Sequence, residues 1–231
     1  MGVVNLLLKG YYKLPFRPFR KQLSFIFNKY RAKDMNKIVV AKKKGINFEL
    51  NLSDRVASGI YYDFYEPVIT GLFEKSLKRG DVVVDVGANL GYYTLLSAKL
   101  VGDTGKVYAF EPMHSAFERI KKNVSLNNFK NIILENAGIS NKEEKLKVFF
   151  QNEYRVGIEQ KGEKEEVKFI VLDDYIKKHK IKKLSLLKID TDGYDFKVVK
   201  GAINIIKKFR PIVTAEISPY EDYKNFVNFL F

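Results

Sequence analysis

The sequence predicts an α/β fold: an open, mainly parallel sheet with helices packed on both faces. Three observations predict it. Short β-branched apolar runs alternate with stretches of helical length, the pattern of βαβ units joined by right-handed crossovers. The runs VVVDVG (82–87), LSLLKID (184–190) and PIVTAEI (211–217) are strongly apolar, as strands buried on both faces are. A length of 231 residues, 46% of them apolar, suffices for one substantial core and excludes a disordered chain.

Residues 1–36 read as a basic, amphipathic helical extension. Phe16, Phe19, Leu23, Ile26 and Tyr30 recur at steps of three and four, while Arg17, Arg20, Lys21, Lys29 and Arg31 lie mostly off that stripe. Pro15 and Pro18 suit a helix start. The domain proper is 37–231. It opens with IVVAKKKGINFELNL (38–52), two apolar strands around a basic, glycine-bearing turn, hence a hairpin. A helix over 64–79 stops at Gly80. The strand at 82–87 is followed by a helix at 91–101, the strand KVYAFE (106–111), a helix at 114–127 and the strand NIILENAGI (131–139). KLKVFF (145–150) and EEVKFIVL (165–172) are two more strands around a polar loop rich in lysine and glutamate. A short helix at 173–180, the strand at 184–190, a helix at 194–208 and the strand at 211–217 complete the series.

Composition removes several function classes. Cysteine is absent, which excludes a disulfide scaffold, a thiolate metal site and a cysteine nucleophile. The two histidines, His114 and His179, are too few for a multi-histidine metal cage. No apolar run reaches the ~18 residues that span a bilayer, and no secretory pattern opens the chain. Leu6 breaks the myristoylation pattern that Met1-Gly2 would begin. The expectation is a cytoplasmic protein. The net charge of +14 is lopsided: residues 1–44 hold twelve Lys or Arg against one acid, Asp34, a net +11, and the other 187 residues hold the remaining +3. Residues 1–44 therefore suit a peripheral contact with an anionic membrane surface. The near-neutral remainder argues against a nucleic-acid-binding face.

The segment that carries chemistry is DVGANLGYYT (85–94). A strand delivers Asp85 to its carboxyl end, Gly87 and Gly91 let the backbone turn tightly, and a helix begins at once. Such a loop, at the carboxyl edge of an open sheet, is where these folds bind ligands. Glu111 ends the next strand, where a carboxylate can accept hydrogen bonds from both hydroxyls of an adenosine ribose. A dinucleotide loop needs G-x-G-x-x-G, and counting from Gly87 the second and third glycines are Asn89 and Tyr92. An acidic loop suits the zwitterion of S-adenosylmethionine and repels a pyrophosphate.

From about Phe48 to Glu216 the chain resembles the FkbM-type class I methyltransferases. The resemblance rests on FELNLSD and IYYDFYEP, DVGANLGYYTLLSA, AFEPMHSAFERIKKNVSLNN, ENAGIS, KFIVLDDYI, LLKIDTDGYDFKVVKGA and PIVTAEI, in that order. It implies a Rossmann-like class I methyltransferase fold with S-adenosylmethionine as cofactor. It also implies O-methylation of a hydroxyl, often on a sugar or glycosylated metabolite, so a small-molecule, glycan or lipid-linked acceptor. Carried over by position, Asp85, Gly87, Ala88, Asn89 and Gly91 line the methionine and ribose end. Glu111 holds the ribose with Phe110 and Pro112 beside it, Asn136 and Ala137 flank the adenine, and Glu66 reaches the amino or carboxylate end. Two features depart from the family. Asp192 and Asp195 stand where glutamate is usual. Only fourteen residues follow Ile217, enough for one helix, so the expectation is a domain without the usual C-terminal strand pair, whose last strand would be left at an edge.

Methyl transfer from a sulfonium is an in-line displacement, so positioning supplies much of the rate, and a hydroxyl acceptor also needs a base. Lys188, Asp190, Asp192 and Glu216 end the fourth and fifth core strands, at the cofactor-loop edge. Asp190 is the first candidate for the base or acceptor-orienting group, followed by Asp192 and Glu216. An acid there can instead cap the next helix, as Thr191 can. His114 falls on the adenine side, away from the methyl group, and no metal is assigned. Three rival readings are a glycosyltransferase using Asp190-Thr191-Asp192, which leaves DVGANLG unexplained, an RNA methyltransferase, and an inactive truncated binding domain.

Overall fold

The computed structural model describes residues 37–149, 164–191 and 193–215. The predicted N-terminal extension, Asp192, Glu216 and the C-terminal segment after it lie outside the described residues. The chain divides into two compact units, Met1–Lys75 with Ser125–Asn127 and Ser76–Val124 with Asn128–Phe231.

In the first unit, β1 (Ile38–Lys43) and β2 (Ile46–Asn51) form the expected antiparallel hairpin, with Ile38 opposite Asn51 and Lys43 opposite Ile46. Lys44 and Gly45 make the turn, both at positive φ (49° and 76°), the geometry whose twist matches a two-residue hairpin. Ile46, Phe48 and Leu50 of β2 are buried on one face. A helix not foreseen from the sequence follows, α1 (Arg55–Tyr61), capped by Asp54, whose carboxylate accepts from the amides of Val56 (2.7 Å) and Ala57 (3.1 Å). Next comes α2 (Pro67–Ser76), shorter than the helix predicted over 64–79 and with proline at its first position. Asn47 and Asn127 exchange backbone and side-chain hydrogen bonds, which counts residues 125–127 with this unit.

The second unit holds the predicted sheet. Strands β3 (Val82–Val86), β4 (Lys106–Phe110), β5 (Ile132–Glu135), β9 (Leu186–Ile189) and β10 (Ile212–Ala215) pair in the order β10-β9-β3-β4-β5, all parallel. Helices α3 (Tyr92–Val101) and α4 (His114–Ser125) follow β3 and β4. On one face Val84, Val86, Phe110, Leu187 and Ile189 pack on Leu172, Tyr175 and Ile176 of α5 (Leu172–Lys178), Val198 and Val199 of α6 (Asp195–Gly201) and Ile205 of α7 (Ile203–Phe209). On the other face Ala109 packs on Ile120 of α4, and Asp85 meets Thr94 of α3. Alternation along β3 and β9 thus sends Val84, Val86, Leu187 and Ile189 to one side, and Asp85 and Lys188 to the other with Val83 and Leu186.

Two predicted elements are divided. The run 131–139 is not one strand: the chain bends at Asn136 and Ala137, and β6 (Gly138–Ser140) joins a separate sheet of order β6-β8-β7 with β7 (Glu144–Phe149) and β8 (Lys164–Val171). The helix predicted over 194–208 is two helices, α6 and α7, meeting at Ala202. No helix among the described residues is long and apolar enough to cross a membrane.

Candidate functional site

Strand register builds the site. Val86 is the partner of both Phe110 and Ile189, and Phe110 is the partner of Glu135. The residues one step beyond, Gly87, Glu111, Asn136 and Asp190, therefore share one carboxyl edge of the parallel sheet, the edge where open α/β sheets receive ligands.

Gly87 cannot be replaced without cost. Its φ is +77°, and a β-carbon built there would overlap the carbonyl oxygen of Asp190. Asn89 (φ 50°) and Gly91 (φ 92°) are left-handed as well, and a β-carbon on Gly91 would sit 2.7 Å from Ile120 Cγ1. The turn spends its own amides. Gly87 and Ala88 donate to the carbonyl of Phe110 (2.9 and 3.1 Å), Asn89 donates to Glu111 Oε2 (2.7 Å), and Gly91 donates to the carbonyl of Ala88 (2.9 Å). A pyrophosphate needs such amides unspent. These four amides are therefore not on offer to a pyrophosphate, in agreement with the missing glycines.

Glu111 is 6% exposed and accepts from the amides of Asn89 (2.7 Å) and Met113 (3.0 Å). Burial pushes its pKa up from the usual 4.5 to about 7; those two amides and the charge of Arg119 oppose the rise, while the charge of Asp85 adds to it. Arg119 also reaches Asn89 Oδ1 at 3.1 Å. Each carboxylate oxygen has a second lone pair, so an acceptor for a ribose diol remains at the tip of β4. The side chain of Phe110 is in the core, edge-on to Tyr175 at 4.9 Å, and only its carbonyl serves the turn. Asn136 is exposed and donates to the carbonyls of Glu111 (2.9 Å) and Pro112 (3.0 Å), fixing the bend after β5; Ala137 and Ala88 are buried.

Asp85 is fully buried. The hydroxyl of Thr94 donates to its Oδ2 (2.6 Å), and Lys188 Nζ lies 3.6 Å from its Oδ1. Lys188 is itself 5% exposed, lies opposite Asp85 in the register, and donates to Asp190 Oδ2 at 2.9 Å. Asp190 is partly exposed, and its backbone lies against Gly87. Asp195, 1% exposed, accepts from the amides of Thr191 (3.3 Å) and Gly193 (3.2 Å) and so ties the loop to the helix start.

Glu66, His114 and His179 complete the residues named from the sequence. Glu66 belongs to the first unit, at positive φ (37°), its carbonyl accepting from Thr70 N as α2 begins. His114 is exposed at the start of α4, and His179 stacks on Tyr175 at 4.1 Å. Among the described residues, no group of three His, Asp or Glu side chains converges as a metal site would require. Sequence reasoning missed Thr94 and Arg119, which contact the buried carboxylate and the glycine turn. Thr94 lies one helical turn past Gly91, and that spacing was the available signal.

Several known proteins are similar to this chain. A protein-L-isoaspartate O-methyltransferase of Ignicoccus hospitalis is 36% identical over 56 residues, 24% of this chain and 26% of that protein's length. The structure of the methyltransferase FkbM from Methylobacillus flagellatus overlaps 70% of this chain and 44% of its own, at 14% identity and a TM-score of 0.44. A protein described as an rRNA methylase from Clostridium thermocellum overlaps 70% of this chain and 76% of its own, at 19% identity and a TM-score of 0.48. The model of the methyltransferase FkbM domain matches residues 85–231, which begin at the buried Asp85 and run through the glycine turn, Glu111 and the β9 edge. Spanning well over half the sequence, that match settles the family: this chain belongs to the methyltransferase FkbM domain family.

Proposed function

We propose that the protein transfers a methyl group from S-adenosylmethionine to a hydroxyl of a sugar, or of a glycosylated or lipid-linked acceptor. The observation that carries the cofactor half is Glu111: a buried carboxylate one step beyond β4, level with a turn in which the amides of Gly87, Ala88, Asn89 and Gly91 are already spent. When bound, S-adenosylmethionine supplies the electrophilic methyl group. Glu111 accepts from the ribose hydroxyls on its remaining lone pairs. Asn136 and Ala137 border the adenine, and the glycine turn passes beside the ribose and methionine. On the acceptor side the hydroxyl must lose its proton as oxygen gains the methyl group, and Asp190 takes or orients that proton. Asp192 and Glu216 are the next candidates for that role. Residues 1–44 would hold the enzyme against an anionic surface, where a lipid-linked acceptor is found.

Calorimetric titration with S-adenosylhomocysteine tests the cofactor. Micromolar binding by the wild type that weakens at least about tenfold in Glu111→Gln is expected from loss of a charged acceptor. A folded wild type that binds nothing overturns the proposal. Incubation with methyl-labelled donor and a panel of glycosides tests the acceptor class. Label in an ether survives mild alkali, whereas label in a carboxyl ester is released and would contradict a hydroxyl acceptor.

A further inference from the structure

A lysine in the middle of a parallel sheet is expensive. LLKI is a strand whose four residues are all buried, and Lys188 sits in it 5% exposed. Desolvating an ammonium costs several kcal/mol, and an apolar residue of similar volume often serves stability as well or better when a buried ion pair is replaced. What Lys188 does with its charge is visible. Its Nζ donates to Asp190 Oδ2 at 2.9 Å, lies 3.6 Å from Asp85 Oδ1, and stands 5.3 Å above the ring of Tyr93. Asp85 is its register partner on the adjacent strand, and Asp190 follows two residues later, one step beyond the end of β9. Asp190 N also donates to the carbonyl of Val86 at 3.0 Å, so the Asp190 backbone is tied to the strand that carries the glycine turn.

We propose that Lys188 is a positioning residue: anchored on the buried Asp85, it holds the Asp190 carboxylate beside the Gly87 turn, facing the sulfonium of the methyl donor. The inference rests on the S-adenosylmethionine reading above and adds a device to it. The donor is a cation and the demethylated product is neutral at the same sulfur. A carboxylate held at this place therefore favours donor over product, and the preference depends on the lysine that holds it.

The test measures the dissociation constants of S-adenosylmethionine and S-adenosylhomocysteine by calorimetry, and takes their ratio. It compares the full chain with Lys188→Met, Lys188→Arg, Asp190→Asn and the Lys188→Met/Asp190→Asn double variant. Asp190→Asn should lower the preference for the cationic donor at least about threefold, within the range of coupling found between contacting residues. Lys188→Met should lower it similarly in the wild-type background and leave it unchanged when Asp190 is already Asn. Lys188→Arg should restore most of it. A lysine acting only as a nearby positive charge would give the opposite sign, since removing it would strengthen cation binding in both backgrounds; that result overturns the inference. So does a preference that Lys188→Met leaves untouched. Should Lys188→Met fail to fold, Asp190→Asn alone decides, because an unchanged ratio there overturns the inference as well. A folded wild type that binds neither ligand refutes the cofactor reading itself, a distinct result.

Discussion

Gly87 is held by two constraints that act on the same atom. A left-handed backbone disfavours any side chain, and the neighbouring Asp190 carbonyl occupies the space a β-carbon would need. Gly87→Ala should therefore cost at least about 2 kcal/mol, because strain at positive φ and overlap with backbone add. Urea titration followed by circular dichroism would show it, and a variant as stable as the wild type would refute the steric account. Glu111 makes a prediction of opposite character, since its effect varies with pH. Its pKa is raised on folding, from the usual 4.5 to about 7. Between those values the unfolded chain has released a proton that the folded chain retains, so stability falls as pH rises through that window. The drop attributable to this residue is roughly 3 kcal/mol, and Glu111→Gln should flatten the stability profile between pH 4.5 and 7. Ribose hydroxyls favour the charged carboxylate. Binding of S-adenosylhomocysteine by the wild type should accordingly weaken as pH falls from 8 to 6.

At the scale of elements, the small glycine at the end of α6 decides how that helix meets the second sheet. A β-carbon on Gly201 would overlap the carbonyl oxygen of Ser140 at the end of β6. In an exposed helix, glycine to alanine adds up to about 1 kcal/mol of stability. Here the sign reverses, and Gly201→Ala should lower stability by about 1–3 kcal/mol, as overpacking does. Thermal unfolding would decide it by direction alone. This contact was not legible in the sequence, whereas much around it was. Runs such as VVVDVG and LLKI announce strands buried on both faces, and the turn chemistry of Gly87 and Gly91 is local. The division of 131–139 was hidden because Ile139 continues the apolar run, and the bend is made by Asn136 donating to carbonyls across the edge. The break at Ala202 leaves no mark, because alanine favours helix. The ion pair of Lys188 with Asp85 depends on a strand a hundred residues earlier, beyond the reach of any local pattern. The place of Asp190, Gly87 and Glu111 at the carboxyl edge was legible because each follows a recognisable strand; Asp192 and Glu216, named on the same argument, lie outside the described residues.

For the whole molecule the governing feature is the uneven charge, with +11 of the net +14 carried by residues 1–44. On the proposed peripheral role, each basic residue near an anionic leaflet contributes about 1 kcal/mol at most, and salt screens it. The full chain should co-sediment with phosphatidylglycerol vesicles at low salt, less at high salt, and hardly at all with neutral vesicles. Replacing Arg17, Arg20 and Lys21 by glutamate should reduce sedimentation several-fold without altering S-adenosylhomocysteine binding. Equal sedimentation of both proteins would rule the role out.

The register of β3 also sets an order of assembly. Its partner on one side, β4, begins twenty residues after β3 ends, whereas its partner on the other side, β9, places Lys188 opposite Asp85 from a hundred residues away. During translation at about 5–20 residues per second, the β9 flank of β3 stays open for roughly 5–20 seconds after β3 itself is made. The half carrying the glycine turn and Glu111 can pair within itself during that interval. Asp85 meanwhile waits without Lys188. A ribosome that stalls between these strands would present a nascent chain with an uncovered β3 flank and a carboxylate lacking its counter-ion, a species for chaperones to recognise.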